Sequence, residues 1–594
     1  MNKKNIVITG QGIITAIGND KEAVLKSLRD KRTGIGTMRY LDSEHKELPV
    51  GEVKLSNEEM KVMLGIKVSN EVSRTALLGM VALQQAIDES GIAAIKRNFP
   101  NKRIVLVSGT TVGGMDITEK HFNTFTDEDG DIDCLCQHDC GSNTELMAQH
   151  FDGLFDDSTT ISTACSSAAN ALILGANLLK AGQADIIVAG GTEALSRFHL
   201  NGFNSLQILD KEICRPFDDT RAGLNLGEGA AFVVMEREED AGCHKADIYG
   251  YLTGYGNACD AFHQTASSPD GEGACLAISQ ALDMAGLKPG NIQYINAHGT
   301  ATPNNDQSES AALKRVFGDK LPPVSSTKCF TGHTTSASGC IEAVICLLAM
   351  KYGFIPTNLG WSHPMNNGII PSAGEEQYEV DHVLCNSFGF GGNDSSLILS
   401  RYATSGGNDI CFNNIKVTVA AQVEITEETP LADIRNYVKP LEARRMGRLM
   451  KSSLLSSLRA LEQAGIEKPD AIITSTAWGC LDYSERLLEQ LRDEGEVLLK
   501  PTYFMQSTHN TIGSNIAIRL GCHGYNVTYA HGKDSLKWAL RDAQLLLQSG
   551  RYHSVLVGLH DEMTPLLRSL FERKGISVMP STVYSKALVL TCGK

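Results

Sequence analysis

The feature that most constrains the fold of this chain is an internal repeat. LQQAIDESGI at 83–92 resembles SLRALEQAGI at 457–466, VSGTTVGGMD at 107–116 resembles ITSTAWGCLD at 473–482, and ADIIVAGGTE at 184–193 resembles SVLVGLHDE at 554–562. The matched glycines, Gly113 with Gly479 and Gly190 with Gly558, are 366 and 368 residues apart. Separations of 366 to 374 residues over three segments predict that roughly the last 190 residues copy residues 1–240.

The repeated unit alternates short β-branched runs with longer helical ones. Such alternation is typical of layered α/β proteins rather than of β-sandwiches or helical bundles. With 42% apolar residues, the 594-residue chain has enough buryable side chain for a sizeable core. The pattern predicts strands at 6–10, 104–108, 159–162 and 185–189, and helices at 21–28, 73–90 and 166–180.

Charge and composition restrict the partners and the compartment. The net charge of −15 argues against nucleic acid or an anionic membrane as the main partner. The N-terminus lacks the apolar core of a secretory signal, and we expect no membrane-spanning helix. Sixteen cysteines in so long a chain are too dilute for a disulfide framework, so we expect them to be reduced and the protein to be cytoplasmic.

The first segment with chemical potential is STACSSAANALILGANLLKAG at 162–182. A strand leads into Cys165, and apolar residues then recur at helical spacing, which places the thiol at a sharp strand-to-helix junction. Unpaired N–H groups at a helix N-terminus stabilise a thiolate, so we expect a lowered pKa and a reactive sulfur. Small neighbours leave room for a substrate.

Three later segments carry further candidates. His298 follows an apolar strand in INAHGTATPNNDQSE at 295–309, and Lys328 and His333 precede a helix in VSSTKCFTGHTTSASGC at 324–340. CNSFGFGGNDSSLIL at 385–399 is a glycine-rich turn between strands. Each of these alone is a weak signal.

Together with CRPFDDTRAGLNLGEGAAF at 214–232, the four segments closely resemble the β-ketoacyl-acyl carrier protein synthases, condensing enzymes of the thiolase-like superfamily. The resemblance covers about two thirds of the chain. It implies a five-layered α/β/α/β/α fold with a duplicated half, followed by a C-terminal α/β half-copy. We assign residues 1–240 to the half that carries the nucleophile, 241–403 to the half that carries the histidines, and 404–594, after the linker ATSGGND, to the copy.

The resemblance also implies an activity, the decarboxylative Claisen condensation of an acyl thioester with malonyl-acyl carrier protein. Cys165 would be the nucleophile, and the backbone N–H groups of Cys165 and Phe390 would form the oxyanion hole. His298 and His333 would stabilise the enolate formed when CO₂ leaves. The reaction needs no metal or other cofactor, because its substrates are carried on the phosphopantetheine of an acyl carrier protein.

Supporting residues follow from the same motifs. Lys328 matches the family lysine beside the histidines, and Glu309 matches its acidic partner, both as electrostatic and structural organisers. The remaining matches are to substrate-binding positions: Thr300 and Thr302 for the pantetheine arm, Val112 for the acyl pocket, and Phe388 and Phe390, the latter as a gate.

The departures from the family pattern leave alternatives open. Segment 127–157, the run TTSASG after His333, and Asn225 resemble the synthases of aryl-polyene and flexirubin-like pigment clusters. A pigment polyketide ketosynthase is therefore the alternative to fatty acid-type elongation, and a non-catalytic chain-length partner is the third reading. A degradative thiolase is disfavoured, because its second cysteine is replaced here by Phe-Gly-Phe-Gly-Gly.

The C-terminal copy lacks the thiol. An offset of 366 places His531 opposite Cys165, and we expect His531, His509 and His523 to be packing or surface residues. The copy is expected to dock on the catalytic domain or to present a carrier protein. The family implies a homodimer, while segment 127–157 favours a heterodimer with a chain-length partner.

Three further patterns concern metal binding, calcium binding and carrier docking. CLCQHDC at 134–140 contains metal-ligand residue types, but its spacing favours packing or interface cysteines. DEDGDID at 127–133 lacks the glutamate that closes a calcium loop and is interpreted as a solvated acidic loop. Lys61, Lys67 and Arg74 are candidates for a basic docking patch, since carrier proteins are acidic.

Overall fold

A computed structural model describes residues 4–593 except 128–129, 131, 409, 414, 498 and 577–581. The acidic loop at 127–133 therefore lies partly outside the described residues. The strands of the described chain are β1 Ile6–Thr15, β2 Ile104–Gly109, β3 Asp157–Ile161, β4 Ile186–Glu193, β5 Gly229–Arg237, β6 Gly250–Cys259, β7 Tyr294–Asn296, β8 Val324–Ser325, β9 Phe354–Ile355, β10 Glu375–Glu376, β11 His382–Gly389, β12 Asn393–Ser400, β13 Val417–Ile425, β14 Ala471–Ser475, β15 Tyr525–Tyr529, β16 Ser554–Glu562 and β17 Val583–Cys592.

The helices alternate with these strands, as the sequence predicted. They are α1 Lys21–Arg29, α2 Asn57–Met63, α3 Arg74–Ser90, α4 Ile92–Asn98, α5 Met115–His121, α6 Cys140–His150, α7 Ser167–Lys180, α8 Arg197–Ser205, α9 Glu238–Cys243, α10 Glu272–Ala285, α11 Pro303–Phe317, α12 Lys328–Thr331, α13 Ser338–Tyr352, α14 Pro440–Arg445, α15 Arg448–Ala464, α16 Leu481–Glu494, α17 Pro501–Ser507, α18 Thr511–Leu520, α19 Ser535–Gln548 and α20 Pro565–Arg573.

Fifteen of the strands form one continuous sheet across both parts of the chain. Its order is β13-β17-β16-β14-β15-β3-β2-β4-β5-β1-β6-β12-β11-β7-β8. Within the catalytic part, α7 and α13 lie between the two half-sheets, and α3 and α10 cover the outer faces. This arrangement gives the five predicted layers.

The helix α13 is apolar on all sides because both of its faces are covered. The stretch Thr335–Tyr352 has a mean hydropathy of 1.2 over 18 residues, which meets the length of a membrane span, contrary to our expectation that no segment does. Yet 89% of that stretch is buried inside the protein. An all-round apolar helix is typical of the centre of a large α/β core.

The C-terminal copy repeats the first five strands and joins them edge to edge. The order β13-β17-β16-β14-β15 mirrors β3-β2-β4-β5-β1, and the two halves meet where Tyr529 of β15 pairs antiparallel with Ile161 of β3. The copy therefore covers the sheet edge beside the nucleophile.

The alignment of the two copies corrects one residue assignment. The elements β3, the short turn at 164–166 and α7 correspond to β15, the turn at 532–534 and α19, all at an offset of 368. Cys165 therefore corresponds to Lys533, and His531 corresponds to Thr163. The offset of 366 holds from β2 and β14 to Asp116 and Asp482, because the connection between there and β3 is two residues shorter in the first copy.

Candidate active site

The nucleophile candidate Cys165 lies on a strained turn between β3 and α7. Its neighbour Ala164 has φ +51°, a left-handed conformation that non-glycine residues rarely adopt. Ser167 fixes the turn, since its side chain donates to the carbonyl of Ala164 at 2.7 Å and accepts from the N–H of Thr163 at 2.9 Å. The predicted strand-to-helix junction is present, and the turn aims the thiol away from the sheet.

Two imidazoles converge on this sulfur. Nε2 of His333 lies 3.1 Å from Sγ of Cys165, and the ring of His298 meets that of His333 edge to face at 5.4 Å. One ring nitrogen of each histidine and the sulfur all lie within 4.8 Å of one another. The structure therefore brings together Cys165, His298 and His333, although Cys165 and His333 are 168 residues apart in the sequence.

The backbone around the histidines explains their positions. His298 leaves the end of β7, and Glu309 of α11 accepts hydrogen bonds from the backbone N–H groups of His298 and Gly299 at 2.9 and 2.8 Å. The N–H of His333 donates to the carbonyl of Asn225 at 2.7 Å. The Asn225 side chain in turn holds the 210–214 loop, so this departure from the family pattern has a structural role here.

The electrostatics of the thiol differ from the sequence-based expectation. Burial raises the pKa of Cys165 to about 12, although Lys328 and the backbone N–H groups of Phe390 and Cys165 act to lower it. The helix N-terminus is thus outweighed by desolvation, and the expected net lowering of the pKa is wrong. The resting site holds a neutral thiol.

Both histidines are also neutral at physiological pH. Burial, the Lys328 ammonium and the neighbouring imidazole hold the pKa of His298 well below its usual value, and burial and Lys328 do the same for His333. The cation at Lys328 would equally repel a metal ion from these three ligand atoms. The donor set and its surroundings therefore fit neutral hydrogen-bonding chemistry better than metal binding.

The partner of Lys328 is not the predicted one. Nζ of Lys328 donates to Glu342 of α13 at 2.5 Å, and both side chains are buried. Glu309 instead accepts from the His298 loop and from Asn386 at 3.2 Å, so it organises the backbone rather than the lysine. The sequence contained the missed signal, because Glu342 is the only charged residue in the apolar run SGCIEAVICLLAM.

The glycine-rich turn between β11 and β12 reaches the sulfur from the other side. The backbone N–H groups of Phe390 and Cys165 both contact Sγ. Donors placed in this way are able to bind the oxyanion of a tetrahedral intermediate. Gly391 and Gly392 have φ of +83° and +74°, conformations that let the turn bend back on itself.

The C-terminal copy holds this turn. Nδ2 of Asn510 donates to the carbonyl of Phe390 at 2.8 Å and to the side chain of Asn393 at 2.6 Å. The ring of Phe390 stacks on Phe203 of the catalytic part at 5.7 Å. The proposed gate is therefore fastened to both copies, a contact that no motif in the sequence revealed.

A cavity opens from Cys165 toward the junction of the two copies. Val112 and Phe390 line it, as their family matches implied. Its walls come from both parts of the chain: Thr111, Met115, His138, Asp139, Ala164, Phe198, His199, Phe203 and Thr335 from the catalytic part, and Trp478, Ser484, Phe504, Ser507, Thr508 and His509 from the copy. The copy thus completes the cavity.

The other predicted substrate contacts lie outside this cavity. Phe388 packs against His298 with ring centroids 5.8 Å apart. Thr300 and Thr302 share a hydrogen bond of 2.9 Å just before α11, two and four residues after His298.

The three histidines of the copy that the sequence singled out make contacts with the catalytic part. The rings of His531 and His523 bond to Thr160 and to the carbonyl of Cys259, both at 3.0 Å, while Nε2 of His509 lies 3.9 Å from Sγ of Cys140. In CLCQHDC, Cys134 and Cys140 are buried and Cys136 is exposed. The predicted packing role is confirmed for the two buried cysteines.

The predicted basic patch is not formed. Lys61 is 7% exposed and donates to the carbonyl of Val68, and Arg74 is 7% exposed and bonded to Glu228 at 2.6 Å. Of the three candidates only Lys67 is exposed.

Comparison with known proteins identifies the family. The β-ketoacyl synthase N-terminal domain matches residues 3–241, the β-ketoacyl synthase C-terminal domain matches 249–362, and a second β-ketoacyl synthase N-terminal domain matches 419–594. The 3-oxoacyl-[acyl-carrier-protein] synthase 2 of Synechocystis sp. (strain ATCC 27184 / PCC 6803 / Kazusa) is 33% identical over 419 residues, 68% of this chain and 99% of the relative.

Solved structures agree. The ishigamide ketosynthase/chain length factor is 30% identical, with a TM-score of 0.63, and the match covers 68% of this chain and 100% of that one. The PfaC keto synthase-chain length factor, at 16% identity, matches 99% of this chain and 78% of its own with a TM-score of 0.79, which supports the fold of the two copies together. The chain belongs to the β-ketoacyl synthase family of condensing acyltransferases.

Proposed function

We propose that this chain extends acyl chains held on an acyl carrier protein by decarboxylative condensation, with Cys165, His298 and His333 as the catalytic residues. The single observation that carries the proposal is the convergence of one thiol, two neutral imidazoles and two backbone N–H donors beside one cavity. The phosphopantetheine belongs to the carrier and is substrate, so no resident cofactor is required.

In the first half-reaction, Sγ of Cys165 attacks the thioester carbonyl of the acyl carrier. The N–H groups of Cys165 and Phe390 bind the oxyanion, and one such donor is worth about 3–4 kcal/mol of barrier. The C–S bond to pantetheine breaks, and the proton of the Cys165 thiol leaves on the pantetheine sulfur. Because the thiol pKa is raised, this proton transfer accompanies the attack rather than preceding it.

In the second half-reaction, the malonyl thioester lies with its carbonyl between His298 and His333. Ring N–H groups stabilise the enolate as the C–C bond to the carboxylate breaks and CO₂ leaves. The carbanion attacks the acyl carbonyl on Cys165, and the C–Sγ bond breaks to release a 3-oxoacyl thioester. The thiolate then takes a proton from water. Neutral imidazoles suit this step, since a charged one would favour the carboxylate that must leave.

The decisive experiment combines an acyl carrier protein thioester with malonyl-acyl carrier protein and follows CO₂ release and the 3-oxoacyl product. We expect Cys165→Ala to abolish acylation while malonyl decarboxylation persists. His298→Ala and His333→Ala, by contrast, should lose decarboxylation and keep acylation. A wild-type protein that releases no CO₂ and forms no product contradicts the proposal.

We further propose that the C-terminal copy takes the place of a second subunit. It pairs with β3, fastens the gate through Asn510 and supplies six residues of the cavity wall. A single chain would then do what a ketosynthase and a separate chain-length partner do as a pair. The expected heterodimer interface would lie within one chain.

A pigment-type polyketide chain is the second candidate substrate. The part of the cavity near the copy carries His138, Asp139, Ser484 and His509 among aromatic rings, including Trp478, which stacks on His138 at 6.3 Å. The aromatic rings are able to stack on the flat face of a conjugated or aryl-primed chain, whereas a saturated alkyl chain has no such face. Competition between saturated and conjugated acyl carriers distinguishes the two substrates.

A further inference from the structure

The C-terminal copy contains a basic segment in a strongly acidic protein. Residues 435–451, RNYVKPLEARRMGRLMK, hold six basic side chains and one acidic one, whereas the whole chain has a net charge of −15. Arg435, Lys439, Arg444 and Arg448 are exposed. In the described part of the chain, Arg435, Lys439 and Arg444 make no ion pair. Arg448 lies near Glu427 and Glu562, and it makes only a small contribution that lowers the pKa of each.

This segment lies beside the gate of the active site. Asn510, which bonds to Phe390, caps the N-terminus of α18, and Arg519 near the other end bonds to the carbonyl of Tyr437 and lies 3.5 Å from Glu442. At 1.5 Å per residue, Asn510 and Arg519 are about 13 Å apart along the helix axis, so one helix connects the gate turn with the basic segment.

The surface between them belongs to the catalytic part. Ala261 packs on the same apolar cluster as Val438 and Ala443, and the next two residues, Phe262 and His263, are exposed. Gln264 accepts the N–H of Gly391 on its carbonyl at 2.7 Å and donates to Asn515 of α18 at 2.7 Å. An exposed, partly apolar rim thus connects the gate to the basic segment.

The equivalent surface of the first copy has the opposite charge. Arg74 and Arg448 are both the first residue of a 17-residue helix, α3 and α15, and Asp116 and Asp482 correspond at the 366 offset of this region. The cleft at α3 is lined by seven carboxylates and four basic residues. The cleft at α15 is lined by Arg444, Arg448, Lys451 and Arg486 against Asp482 and Glu562. The duplication has kept the cleft and reversed its charge.

We propose that the basic surface of Arg435, Lys439 and Arg444 on the C-terminal copy is the docking surface for the acidic carrier protein, whose arm then enters beside the gate. This inference rests on the proposed function, and it assigns to the non-catalytic copy the recognition that the sequence assigned to Lys61, Lys67 and Arg74. Charge complementarity of this kind steers association and fixes the orientation of the partner.

The test is the triple charge reversal Arg435→Glu/Lys439→Glu/Arg444→Glu. Its matched control is Arg97→Glu/Lys288→Glu/Lys320→Glu, which changes the net charge equally at exposed positions on other elements. Each protein is assayed with malonyl-acyl carrier protein and with malonyl-pantetheine at low and high salt, and carrier binding is titrated directly. We expect the first variant to lower kcat/KM for the carrier substrate at least tenfold relative to that for the pantetheine substrate, and to flatten its salt dependence.

Each outcome has a defined meaning. Loss of carrier binding in the first variant but not in the control supports the surface, even if the wild-type protein proves unable to condense, which would overturn only the proposed function. Unchanged carrier binding, or equal losses in both variants, overturns the surface. Vesicles containing anionic phosphatidylglycerol serve as a second ligand, and a loss confined to vesicle binding would assign the patch to a lipid surface and overturn the carrier assignment.

Discussion

The reactivity of Cys165 offers the sharpest test of the electrostatics of the site. The position of Cys165 at a helix N-terminus, taken alone, predicts a thiol that is ionised near neutral pH. The structure predicts a thiol with a pKa of about 12, because the Cys165 residue is buried and only 5% exposed. Relative to a free cysteine of pKa about 8.5, a rise of more than three units lowers the thiolate fraction at pH 7.5 by roughly a thousandfold.

The assay is the rate of alkylation of Cys165 by iodoacetamide, followed on its peptide by mass spectrometry from pH 6.5 to 10. We expect the rate to rise about tenfold per pH unit across this range without a plateau, since thiolate is the reacting form below the pKa. Limited access to the buried sulfur lowers all rates by one factor and leaves the slope unchanged. The exposed Cys136 and Cys243 serve as internal controls for the supply and reactivity of the reagent.

A paired variant tests the cause of the shift. Lys328→Met/Glu342→Leu removes a cation that favours the thiolate and replaces a buried ion pair by apolar groups, a change that is often neutral for stability. We expect alkylation to slow further at every pH, whereas Lys328→Arg should stay near wild type. A plateau below pH 8.5 in the wild-type protein would refute the claim that burial dominates over the helix terminus and Lys328.

Three further predictions follow from the packing around the site. Ala164→Val places a β-branched residue at φ +51° and should lower the free energy of unfolding by about 1–3 kcal/mol in urea titrations, whereas Ala164→Gly should not destabilise the protein; equal stabilities would show that the turn is unstrained. Trp478→Ala enlarges the cavity at the copy and should lengthen the products found by mass spectrometry, and an unchanged product distribution would remove the copy from chain-length control. Asn510→Ala removes two hydrogen bonds to the gate, worth about 1–3 kcal/mol together, and should alter the pre-steady-state acylation rate, whereas Asn515→Ala, which bonds Gln264 rather than the gate, should not.

The sequence detected the C-terminal copy, but only the structure aligned it residue by residue with the first. Sequence similarity located the duplication to within two residues, yet that small error exchanged Lys533 for His531 opposite Cys165. The structure resolved the difference, because β3, the turn at 164–166 and α7 match β15, the turn at 532–534 and α19 element for element at 368. The functional conclusion was unaffected, since neither residue is a thiol.

The sequence by itself determined the layered α/β class, the duplication, the strand-to-helix turn at Cys165 and the identity of the two histidines. These properties are local or periodic, and they are written in neighbouring residues. Only the tertiary structure decided that Glu342 rather than Glu309 partners Lys328, that burial overrides the helix terminus at the sulfur, and that the copy completes the cavity and holds Phe390 through Asn510. Each of these depends on which residues far apart in sequence are buried against one another. No local sequence pattern specifies such a contact.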